Sequence, residues 1–350
     1  MSGPLVSVIV TNFNYGRFLD RCLSSVLRQT YPHVELIICD NNSADESLAV
    51  INKYIASDPR RVTLIRHRSN LGSAANFISG ERLKQGDYFI NLGADDYLEP
   101  DYLSIAVELF KAYPGVSQII SHANSIDEFG VVTPRAPFFD GSYFIPGPSY
   151  APILMVAGIT SHTSQTIFHS PTHLLIGSRP DFLNSPTLGE RTTAMMHAVA
   201  RDVIYLEKPF VVCRDSIHNE TSKLNSDVSQ IVEQLSVINA FAGYAERHGF
   251  HEIVDRKKEA IEKLGLLCSR YATDFLRLGN PEIAGRYIGM SMFLLGTFDA
   301  VLSDSNFENF DAAMARVKES IREVRTRSQI PALARQHSYP PPPDSVRLII

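Results

Sequence analysis

Short, charge-free, β-branched runs alternate with helix-spaced stretches through the first hundred residues, and this alternation constrains the fold more than any other feature. Leu5 to Val10 (Leu-Val-Ser-Val-Ile-Val) reads as a strand covered on both faces. Leu19, Cys22, Leu23, Val26 and Leu27 then recur at three- and four-residue spacing, which predicts an amphipathic helix ended by Tyr31-Pro32. A second strand follows at Glu35 to Cys39, a second helix carries Leu48, Ile51, Tyr54 and Ile55, and a third strand covers Val62 to Ile65. The pattern closes with a helix over 73–84 and a strand over 87–92. Crossovers this short imply a mostly parallel sheet wound in the right-handed sense.

Such sheets bind ligands in the loops beyond the carboxyl ends of their strands. Three loops qualify: residues 11–16, 40–45 and 93–97. The last holds Asp95-Asp96, two adjacent carboxylates whose side chains diverge at a strand end, so one can hold a hard divalent cation while its neighbour takes a hydroxyl. Taken alone, the pair reads equally as a loop that caps the next helix.

Composition narrows the classes. The formal net charge of −5 offers no electrostatic footprint for nucleic acid, which is excluded as a partner. The four cysteines, Cys22, Cys39, Cys213 and Cys268, have no zinc or disulfide spacing and read as reduced thiols. There is no signal peptide pattern and no apolar run of membrane-spanning length, so a soluble, cytoplasmic chain is expected.

Beyond residue 100 a helix is predicted at 101–112, a strand near 117–122 and an irregular Pro/Gly-rich stretch from Pro134 to Pro152. Strands follow at Ser161 to Phe168 and Val203 to Cys213, with a helix at 189–200 between them. From 227 helical spacing dominates (Val228, Ile231, Leu235; Ile261, Leu264, Cys268), and Asn280-Pro281-Glu282 reads as a helix start. The division that results is 1–100, 101–226, a helical region over 227–335 and a Pro-rich mobile tail over 336–350.

Taken in order, Thr11-Asn12-Phe13-Asn14, Ser24 to Pro32, Asp40-Asn41-Asn42-Ser43, Asn70 to Asn76 and Asp95-Asp96 closely resemble the family 2 glycosyltransferases of GT-A fold. The likeness extends more loosely to residue 222. It implies an α/β, Rossmann-like mixed sheet flanked by helices, with a C-terminal helical appendage. It also implies an inverting, metal-dependent transfer of a sugar from a nucleotide diphosphate donor to a hydroxyl of a glycan or lipid-linked glycan, in surface polysaccharide or glycoconjugate synthesis.

By that resemblance Thr11 contacts the nucleotide base and Phe13 stacks on it, while Asp40 and Asn41 belong to the second nucleotide loop. The family places an acid at position 41 to accept a uracil imide hydrogen. An amide there leaves a UDP-sugar as the first choice with thymine, guanine and cytosine open. Asp95 binds the ribose or sugar, and Asp96 holds Mn2+ or Mg2+. Glu190 aligns with the catalytic base, with Asp181 and Asp202 as fallbacks, and His218 aligns with a histidine near the diphosphate or the acceptor and is counted with Asp96 as a metal residue. The helical region is expected to shape the acceptor site, form a homodimer or lean on the inner face of the membrane.

Two other readings are weighed. A nucleotide-dependent oxidoreductase fails because no Gly-x-Gly-x-x-Gly follows the first strand. A degenerate transferase domain, serving as a nucleotide-sugar-binding or protein-interaction module, stays open on Asn41 and the choice of base.

Overall fold

A computed structural model describes residues 3–157, 163–176, 189–214, 228–296 and 339–350. The first half follows the sequence pattern closely. Strands β1 (Val6–Asn12), β2 (Val34–Asp40), β3 (Val62–Arg66) and β4 (Tyr88–Gly93) alternate with helices α1 (Gly16–Leu27), α2 (Ser47–Ser57) and α3 (Ser73–Glu81). The strands lie parallel in the order β3-β2-β1-β4. Their side chains alternate between two apolar layers. Val8, Val10, Ile90 and Leu92 face Leu19, Cys22, Leu23 and Val26 of α1, while Ile9, Ile37 and Phe89 face the opposite layer. Each fully buried leucine or valine contributes roughly 1.5–3 kcal/mol to holding helix on sheet.

The chain continues through β5 (Tyr97–Leu98), α4 (Tyr102–Ala112), β6 (Val116–Ile126), β7 (Val132–Thr133), β8 (Ser142–Ile145), α5 (Gly147–Ala157), β9 (Thr166–His169), α6 (Ser170–Ile176), α7 (Gly189–Ala200) and β10 (Asp202–Arg214). β9 enters antiparallel between β4 and β6, and β10 runs parallel to β6. The sheet is therefore mixed, with parallel pairing along β3-β2-β1-β4 and between β6 and β10, and antiparallel pairing elsewhere. The expected strand from Ser161 is shorter at its start: Thr163–Gln165 form a single 3-10 turn before β9.

Two expectations are corrected. The stretch from Pro134 to Pro152 is not irregular throughout, since it supplies β8 and most of α5. Pro152 sits inside α5, where it cannot donate to the Pro148 carbonyl and so removes one i→i−4 bond from the helix. The tail is not wholly mobile: β11 (Val346–Leu348) pairs antiparallel with β8 at the sheet edge. The four prolines cannot join a ladder, but the Val-Arg-Leu beyond them can.

Among the described residues the helical region contains α8 (Ser229–His248), α9 (His251–Asp255), α10 (Lys257–Arg277) and α11 (Pro281–Leu294). It is less separate than an appendage. Ile231, Ile238, Phe241, Leu264 and Tyr287 share one continuous core with Tyr150 and Leu154 of α5 and Met195 of α7. No helix among the described residues is long and apolar enough to cross a membrane.

Candidate active site

The carboxyl ends of β1, β2 and β4 meet at one rim. Thr11, half-buried at the end of β1, lies between Cys39 of β2 and Gly93 of β4. Just beyond it the Phe13 ring is 40% exposed, an open aromatic face on an otherwise polar rim. The loops after β1 and β2 are stitched together by their own polar side chains. Asn12 donates to Asp40 Oδ1 at 2.8 Å and to Ser43 Oγ at 3.0 Å, and Asp40 Oδ2 accepts the Ser43 N–H at 3.1 Å. Asn14 and Asn42 take positive φ values of 60° and 66°, a conformation asparagine tolerates better than most residues. Asp40 is fully buried, so as placed here it builds the loop rather than facing a ligand.

Asn41 has a different task from an acid at that position. Its Oδ1 accepts the Leu71 N–H at 2.8 Å, while its Nδ2 donates to Asn70 Oδ1 at 2.7 Å and to the Gly72 carbonyl at 3.3 Å. Its side chain thus ties the β2 loop to the loop before α3, and a carboxylate could not make the two donations. Only 3% of the residue is exposed.

The third loop brings the carboxylate pair together. Asp96 is 1% exposed, and its oxygens are oriented by Ser164 Oγ–H at 2.5 Å and the Arg214 backbone N–H at 2.8 Å. Ser164 Oγ in turn accepts the Gly93 N–H at 3.0 Å. A Cβ at Gly93 would lie 3.0 Å from Asp96 Oδ2 and 3.2 Å from Asp95 Oδ1, so both carboxylates overlook the space that a side chain would fill. Asp95 is half-buried. Their joint charge reaches Cys22 beneath the loop, whose thiol is raised well above its usual range first by burial and then by Asp96 and Asp95. Neither Ser164 nor Arg214 was among the expected site residues. Ser164 stands in no sequence motif.

A hard divalent ion fits this donor set. Two carboxylates converge on a gap left by glycine, and substrate phosphates complete such shells. No cluster of three or more His, Cys, Asp or Glu suited to a metal occurs among the described residues.

The other candidates separate by position. Glu190 stands in the first turn of α7, a helix that ends one residue before β10 begins. Because β10 starts at the amino edge of the parallel strands, the start of α7 lies toward the carboxyl edge, on the side of Asp95 and Asp96. The next residue, Arg191, is 3% exposed and donates to the Leu154 and Met155 carbonyls, at 2.8 Å for Met155, and to Gln234 of α8. Burial lowers its guanidinium pKa to about 10. Asp202 opens β10 at the amino edge, bound to the Gly147 N–H at 3.2 Å and on the order of 30 Å of strand away from Arg214. It therefore does not join the site. Asp181 and His218 lie outside the described residues.

Residues 7–155 match the family model for glycosyl transferase family 2. This segment belongs to glycosyl transferase family 2. Relatives include a chondroitin synthase of Escherichia coli, 32% identical over 127 residues (36% of this chain and 18% of that one). A putative glycosyltransferase EpsE of Bacillus subtilis is 33% identical over 130 residues, covering 37% of this chain and 47% of its own. In both cases the match spans less than half of the relative. S. aureus TarS 1-349 in complex with UDP-GlcNAc superposes with a TM-score of 0.57 at 15% identity, over 93% of this chain and 91% of that one. A mannosyltransferase of Pyrobaculum calidifontis, in complex with GDP-Man and Mn2+, gives 0.50 at 16% identity over 94% and 88%. At these identities the likeness establishes the fold alone, over a span that includes the described helical region.

Proposed function

We propose that this family 2 glycosyltransferase is an inverting, metal-dependent enzyme that moves a sugar from a nucleotide diphosphate donor to a hydroxyl of a glycan or lipid-linked glycan, in surface polysaccharide or glycoconjugate synthesis. The observation that carries the reading is the Asp95–Asp96 pair, converging above Gly93 at the carboxyl edge next to Thr11 and Phe13. Phe13 offers its face to the base, and Thr11 a hydroxyl at the same edge. A stack of this kind contributes on the order of 1 kcal/mol. Asp96, fixed by Ser164 and Arg214, presents one carboxylate for Mg2+ or Mn2+. When bound, such an ion stabilises charge on the departing diphosphate as a Lewis acid. Glu190 accepts the proton of the acceptor hydroxyl, as inverting transfer requires.

The test is calorimetric binding of UDP, GDP, CDP and TDP with and without Mn2+, followed by donor hydrolysis and transfer assays. Metal-dependent binding of one nucleotide, lost in Asp96→Ala, supports the reading. Full activity in Asp96→Ala overturns it, and full activity in Glu190→Gln removes Glu190 as the base.

A further inference from the structure

Three guanidinium groups converge on the α1 side of the carboxylate pair. Arg214 Cζ lies 3.8 Å from the centroid of the Phe18 ring and Arg17 Cζ lies 4.3 Å from the same centroid. Arg21 Cζ lies 3.7 Å from the centroid of Tyr97, the residue after Asp96. The guanidinium of Arg214 feels all of these charges: burial lowers its pKa, Asp95 and Asp96 oppose that effect, and Arg21 and Arg17 add to it. Aromatic faces can hold guanidinium groups together in this way, but they do not neutralise them.

Arg17 and Arg21 are exposed and enter no ion pair among the described residues. The first turn of α1 carries no acidic residue. Arg214, 7% exposed, donates from Nη1 to the Asp127 carbonyl, while its buried Nε–H has no hydrogen-bond partner in the structure. A buried donor left unmade typically costs about 1–3 kcal/mol. A divalent ion and the diphosphate it holds roughly cancel, and Asp95, Asp96 and Asp45, which takes the Gly16 N–H at the start of α1, balance the arginines in net charge. The exposed guanidinium donors of Arg17 and Arg21 nevertheless stay open to a ligand at the rim when a donor is in place.

We propose that Arg17, Arg21 and Arg214 form a subsite for an anionic group of the acceptor, a phosphate or a carboxylate, beside the donor site. The guanidinium fork matches both groups through paired N–H donors. The acceptor class is then an acidic glycan or a phosphate-bearing one. This assignment rests on the reading of Asp95–Asp96 as the donor site.

The experiment uses the full chain with Mg2+ and a saturating nucleoside diphosphate. Inorganic phosphate and sodium glucuronate are titrated in separate calorimetric arms, which tell phosphate from carboxylate. At least one probe is expected to bind the nucleotide-saturated protein, and Arg17→Ala/Arg21→Ala to weaken it about tenfold or more while nucleotide affinity stays within about twofold. Failure of both probes overturns the proposal. So does displacement of the probe by nucleotide, or an equal loss of nucleotide affinity in the double variant, since either result assigns the arginines to the diphosphate. If no nucleotide binds at the outset, the donor-site reading falls and takes the subsite with it.

Discussion

Ser164 Oγ lies 2.5 Å from Asp96 Oδ2, joining a residue that leads into an antiparallel strand to one in the loop after a parallel strand. The hydroxyl passes on the Gly93 N–H it accepts, so backbone and carboxylate are held in one chain of hydrogen bonds. Ser164→Ala should lower transfer activity by roughly 10–100-fold, because a hydrogen bond to an ionised group is worth about 1.5–3 kcal/mol. The loss should appear as a weaker Mn2+ dependence, beside a stability loss of about 1.5–3 kcal/mol. Unchanged metal titration curves would show that Ser164 does not orient Asp96.

Gly93→Ala tests the gap between the carboxylates. Its added Cβ would stand 3.0 Å from Asp96 Oδ2 and 3.2 Å from Asp95 Oδ1, tighter than ordinary contact. The expected outcome is a chain with near-native unfolding temperature whose metal-dependent nucleotide binding is at least tenfold weaker. Retention of full binding would mean that the ion does not use this space.

Asn41→Asp restores the acid expected by resemblance, yet it should destabilise. The new carboxylate would face Asn70 Oδ1 and the Gly72 carbonyl, where Nδ2 now donates. Losing both donations and opposing oxygen to oxygen should cost about 1–3 kcal/mol, read from urea unfolding. A variant as stable as the parent would show that the tie between the two loops is dispensable.

Glu81 at the end of α3 gives a pH dependence. Burial alone would raise its pKa, but the hydrogen bond and charge of His173, reinforced by Lys84, lower it to about 2 from 4.5. A carboxylate with a depressed folded-state pKa contributes stability that is complete above the unfolded value and is lost as pH falls toward the folded one. Stability on the order of 3 kcal/mol should therefore disappear between about pH 5 and pH 2. In Glu81→Gln that part of the acid slope should be absent in urea titrations across this range, and an unchanged slope would assign it to other carboxylates.

The strands that carry the rim were legible because strands buried on both faces leave uncharged β-branched runs, as β1 and β2 do. Asp95 and Asp96 were legible because their loop follows such a run. Ser164 was not, since a single hydroxyl acquires its meaning only when β9 inserts beside β4, and no local pattern encodes that pairing. Asn41 was read as a departure at a ligand position, and its bonds to Asn70 and Gly72 depend on a loop some thirty residues on. Arg214 gains its role from Phe18 and Asp96, both far away in the chain.

The helices after residue 228 share a core with α5 and α7, and Arg191 reaches Gln234 from the first turn of the helix that bears Glu190. Cutting the chain at that boundary would expose Tyr150, Leu154 and Met195 to water and unseat the helix start that carries the candidate base. Evolution cannot trade this region as an independent module: a recombinant that exchanges it must also exchange the faces of α5 and α7 against which it rests.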